Sequence, residues 1–103
     1  MSTAKIETHK ELVATARRVI RDCTSNRDAI NAGLRIAACR AYPASAATAA
    51  GCRVAADNIA DKLSPMYANA GTLSYRLARL VARRDWASLW LAARREVYPQ
   101  SCK

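Results

Sequence analysis

Between Thr72 and Tyr98 the chain carries two apolar stripes of helical period that are out of phase with each other. Leu73, Leu77, Leu80 and Val81 recur at i, i+4, i+7 and i+8; after Asp85 the rhythm restarts as Trp86, Leu89, Trp90, Ala93 and Val97. At roughly 100° per residue, the second stripe lies about 150° around from the first. A single straight helix cannot turn both stripes to one core. Either it breaks near Arg84 and Asp85, or it runs on and shows two faces to two partners. Asp85 is a good N-cap, and a core rich in alanine needs large aromatics to fill it, so the break is expected, with both tryptophans inside. The continuous alternative would gather Arg76, Arg79, Arg83, Trp86, Trp90 and Arg94 into one arginine–tryptophan strip.

The rest of the chain reads as helix throughout. A first helix starts at Thr8, with Glu11 completing a capping box, and presents Leu12, Val13, Ala16, Val19, Ile20 and Cys23 as its core face. Ser25 caps a second helix, about Asn26 to Tyr42, which Pro43 ends. A third, about Ala44 to Leu63, is so rich in small residues that it is expected to be the central, tightly packed one. Ser64-Pro65 reads as a stop and restart, after which Met66, Ala70, Leu73, Leu77 and Leu80 keep one phase in a continuous or kinked helix. No alternating β-branched run and no hairpin turn is present. The expectation is a single all-α domain over 1–103, a compact bundle of four to five helices with short connections.

Charge supplies the functional signal. Seventeen basic against 8 acidic side chains leave a formal +9, and arginine outnumbers lysine thirteen to four. Arginine presents a planar, bidentate fork suited to phosphate or carboxylate. Arg76, Arg79 and Arg83 share one helical face, and Lys10, Arg17 and Arg21 share another, with few acids beside them. Arg17, Arg21, Arg76, Arg79, Arg83, Arg84 and Arg94 are therefore the candidate partner-binding residues.

Catalytic and metal chemistry are not legible along the chain. His9 is the sole histidine, and Cys23, Cys39, Cys52 and Cys102 lack zinc-type spacing. Three of these cysteines fall on apolar stripes and read as small core residues. Asp57 and Asp61 share a helical face but lack the further acids a divalent-metal site needs. Ala47 and Gly51 have helix-turn-helix spacing without the turn that should follow. The N-terminal MSTAKIETHK has no apolar core of a secretory signal, and no apolar run is long enough to span a membrane. A cytoplasmic setting is expected, with no cofactor, no metal and no small-molecule substrate.

Together these features predict a non-catalytic basic helical binding protein that docks on nucleic acid, or on an acidic surface of a nucleic-acid-handling complex. The alternative is a small inhibitor or adaptor that binds one host protein complex directly. Phages and mobile elements encode such proteins, anti-CRISPR inhibitors among them.

Overall fold

A computed structural model describes residues 7–42, 46–69 and 71–99. These form five helices: α1 (His9–Asp22), α2 (Asn26–Ala41), α3 (Ala46–Asn69), α4 (Gly71–Ala82) and α5 (Trp86–Val97). The chain is an all-α bundle, with no strand among the described residues.

Local chemistry sets the helix ends. Thr8 Oγ1 accepts from the Glu11 backbone N–H at 3.2 Å, and Ser25 Oγ accepts from the Asp28 N–H at 3.2 Å. Each satisfies one of the first-turn donors that a helix leaves without an internal partner. The break in the last third lies where the phase mismatch predicts it. The Asp85 N–H donates to the Leu80 carbonyl and the Arg84 N–H to the Val81 carbonyl, both at 3.0 Å. That paired pattern closes a helix through a residue in the left-handed region. Here the residue is Arg84, at φ 58, where glycine is the usual occupant. Asp85 then caps α5, accepting from the Ser88 N–H at 3.2 Å. The two stripes thus face one core from two helices. Trp86 and Trp90 are 7% and 8% exposed, so both are structural.

Both α2 and α3 contact all four other helices, and α2 is the one most enclosed by them. Between Ala32 and Cys39 every residue is buried except Arg35, which keeps partial access. A helix apolar nearly all round belongs inside. At Gly33 a Cβ would meet Val81 Cγ2 at 2.8 Å and Leu89 Cδ2 at 3.0 Å, so the corner joining α4 to α5 sits directly on α2 backbone. The polar row of α2 faces α3: Arg35 donates to Asp57 Oδ1 at 2.9 Å, and the Arg27 guanidinium lies 5.9 Å from the Tyr67 ring centre.

Several sequence expectations need correction. The small-residue helix α3 is not the most enclosed one; its Gly51 has no heavy atom within 4 Å of a would-be Cβ, and Val54 is exposed. Nor does Ser64-Pro65 end it. Pro65 has no N–H for the Asp61 carbonyl, yet Leu63 is fully buried on one side, and Met66 and Tyr67 pack on the core on the other. That burial carries the helix through to Asn69, and α4 is described from Gly71. Val19, expected in the core, is exposed. Pro43, Ala44, Ala70 and Cys102 lie outside the described residues.

Candidate binding surface

The seven arginines singled out in the sequence separate into two groups and one outlier. Arg76 and Arg79 of α4 and Arg83, the residue that follows it, line a groove of about 380 Å³ against Ala92, Arg95 and Glu96 of α5, floored by Leu77 and Leu80. Arg17 and Arg21 of α1 and Arg84 of the turn line a second, of about 340 Å³, over Ile20, Val81 and Trp86. Neighbours in sequence, Arg83 and Arg84, thus contribute to different grooves on either side of one turn. All six are exposed.

Arg94 is half-buried and lines neither groove. Its selection belongs to the unbroken-helix geometry, in which it would follow Arg83 around one cylinder. The break reorients α5, and Arg95 takes the groove position instead. Sequence reasoning passed over Arg95 for that reason.

A third depression extends the basic surface. It is lined by Lys10, Val13 and Arg17 of α1 with Arg40 of α2, beside His9 and Cys39. Arg17 is common to this depression and the second groove. The second groove and this depression therefore join into a belt running from Arg40 and Lys10 through Arg17 and Arg21 to Arg84, and the first groove, with Arg83, Arg79, Arg76 and Arg95, adds a second basic section on the other side of the turn. Arg40 enters only through the tertiary fold, which sets the end of α2 beside Lys10 and Arg17 of α1.

Few carboxylates neutralise the belt. Arg76 donates to Glu96 Oε1 at 2.9 Å and Arg21 to Asp22 Oδ1 at 3.3 Å, both pairs largely solvated. Such exposed pairs are worth about 0–1 kcal/mol and exchange readily for a stronger anion. Among the described residues, Arg17, Arg79, Arg83, Arg84 and Arg95 have no carboxylate within 4.0 Å of their guanidinium nitrogens. Three acids elsewhere are engaged: Asp57 holds Arg35, Glu7 lies 3.5 Å from Arg53, and Asp85 caps α5.

Other candidate chemistries resolve by placement. Ala47 and Gly51 lie within one uninterrupted helix, so no helix-turn-helix forms there. The apolar face of α5 is taken up by the core, which leaves no tryptophan face for a membrane surface, and no described helix is long and apolar enough to cross one. Burial pushes the Cys39 thiol up to about 11, with the neighbouring Cys52 adding to the shift, and burial raises Cys52 as well. Such thiols are poor nucleophiles. His9 is half-buried at the start of α1, its Nε2 3.6 Å from Cys52 Sγ.

No protein-family model, curated protein or solved structure matches the chain. The functional reading accordingly rests on the geometry of the belt.

Proposed function

We propose that this chain is a non-catalytic binding protein whose arginine belt docks on the phosphate backbone of a nucleic acid. The observation that carries the reading is the concentration of arginines from α1, α4, α5 and the α4–α5 turn in two grooves on either side of that turn, with little internal neutralisation. Phosphate contacts of this kind position a protein without reading sequence, and the released counterions make binding strongly salt-dependent. The buried tryptophans are not available to stack on bases, so the reading is one of backbone contact with little sequence preference.

A second reading takes its support from the groove floors. Leu77, Leu80, Ile20, Val81 and Trp86 line the same depressions as the arginines. An acidic protein surface with its own apolar side chains would complement that mixture, as a direct inhibitor of a host complex requires.

Mobility-shift titrations with duplex and single-stranded nucleic acid across a range of salt separate the two. The first reading expects binding at low salt that weakens steeply as salt rises; no binding at low salt would rule it out. Capture of the same acidic protein from a nuclease-treated lysate, lost when the belt arginines are replaced, would favour the second.

A further inference from the structure

We propose that His9, Cys39 and Cys52 form a binding site for a zinc ion, independent of the function assigned to the arginine belt. The residues lie far apart in sequence and converge through the fold: His9 opens α1, Cys39 sits in the last turn of α2, and Cys52 in the second turn of α3. Their ligand atoms all lie within 4.8 Å of one another, and His9 Nε2 is 3.6 Å from Cys52 Sγ. Zinc bonds of about 2.3 Å to sulfur and about 2.05 Å to imidazole nitrogen, at tetrahedral angles, place an S···N edge at about 3.6 Å and an S···S edge at about 3.8 Å. The His9–Cys52 separation already matches such an edge. The longest of the others closes by no more than about 1 Å from 4.8 Å.

The donor set is one that zinc favours, two soft sulfurs and an imidazole. Binding releases both thiol protons to solvent and leaves a Zn²⁺–dithiolate unit of zero net charge, so the loaded site brings no uncompensated charge against the core. The fourth position falls to water, as the open depression beside the site allows. Entry is available through the open depression of about 420 Å³ that His9 and Cys39 line. A disulfide between Cys39 and Cys52 is the competing chemistry, and it would leave the half-buried His9 ring outside the pairing.

The test uses the full chain, reduced and stripped of metal by chelator, titrated with Co²⁺ as a spectroscopic stand-in for zinc. The expected result is one Co²⁺ per chain, with thiolate-to-cobalt charge-transfer and tetrahedral ligand-field bands that Zn²⁺ then abolishes. C39A, C52A and H9Q should each weaken binding by at least about 100-fold, since loss of a direct ligand exceeds the 10–100-fold typical of groups one shell out. C23S and C102S should bind as the parent does. Alanine at Cys39 and Cys52 keeps a small apolar group in the core, and His9→Gln alters a half-buried position, so far-ultraviolet circular dichroism should match the parent in all three. Absence of thiolate bands in the reduced protein would overturn the site, as would bands that survive both C39A and C52A. A reduced chain that ignores Co²⁺ but joins Cys39 to Cys52 on oxidation would replace it with a redox pair.

Discussion

Gly33 of α2 and Val81 of α4 meet so closely that one added carbon on the glycine would lie 2.8 Å from the valine Cγ2. Val81 is β-branched and stiff, and Leu89 stands at 3.0 Å on the other side, so neither neighbour gives way easily. Gly33→Ala is expected to destabilise the bundle by about 1–2 kcal/mol, overpacking outweighing the gain in helix propensity. Gly51 is the control. Its surroundings are open, and Gly51→Ala should stabilise by about 0.5–1 kcal/mol. Urea unfolding of both variants checks the opposite signs.

Arg84 holds a left-handed backbone conformation, which carries a steric penalty of roughly 1–2 kcal/mol for a residue with a Cβ. Arg84→Gly is expected to raise stability by about 0.5–1 kcal/mol, the relief being partly offset by greater freedom of the unfolded chain. The same change should weaken polyanion binding. Paired thermal melts and mobility shifts would show stability and affinity moving in opposite directions; a variant unchanged in affinity would take Arg84 out of the binding surface.

Asp85 links the two helices, as cap for α5 and as the residue that closes α4. Asp85→Ala removes the side-chain acceptor and should cost about 1 kcal/mol. Asp85→Asn should retain most of that stability, because asparagine caps nearly as well. Denaturant midpoints of the two variants decide it.

Removing belt arginines should leave a quantitative trace. The triple replacement of Arg17, Arg21 and Arg84 by alanine, and likewise that of Arg76, Arg79 and Arg83, should each reduce the slope of log affinity against log salt by up to about 0.9 per lost phosphate contact on duplex DNA. Melting temperatures should change little, since these side chains are exposed. A large loss of stability would instead make the arginines structural.

The Tyr67 hydroxyl is buried with no hydrogen-bond partner, and burial pushes its pKa up to about 12 from an ordinary 10.0, with Arg27 acting in the opposite sense. Unfolded, the phenol ionises first. The stability this group contributes is therefore complete below pH 10.0 and is lost as pH rises toward about 12. Tyr67→Phe removes the unpaired hydroxyl and should stabilise at neutral pH by about 0.5–1 kcal/mol. It should also flatten the alkaline decline, as urea midpoints measured across that range would reveal.

Local signals carried much of this fold into the sequence. The caps at Thr8, Ser25 and Asp85 act between residues three apart and were legible for that reason. The phase shift between Leu73–Val81 and Trp86–Val97 was legible as a break because two faces of one cylinder cannot share a core. Pro65 misled because its local preference was set against burial of Leu63 and Met66, which only tertiary packing supplies. The central place of α2 was hidden for a related cause: alanine content marks what fits closely, and α3 has more of it, whereas enclosure depends on which helices stand on every side. The belt was half-legible. Its rows on α1 and α4 follow from helical spacing, but the contributions of Arg95 and Arg40 depend on how α5 and α2 are set. The meeting of His9, Cys39 and Cys52 had no signal at all, because no ligand pair among them is close in sequence.

The enclosure of α2 also bears on how a protein like this one can change over generations. Exposed arginines tolerate exchange, and a belt assembled from several helices can lose one member and gain another without disturbing what lies beneath. Ala32, Gly33, Ala37 and Ala38 have no such latitude, since each is buried with neighbouring helices close by. Descendants of this chain should thus be recognisable by a short run of small residues around one glycine in the second helix, while the charged exterior drifts toward new targets.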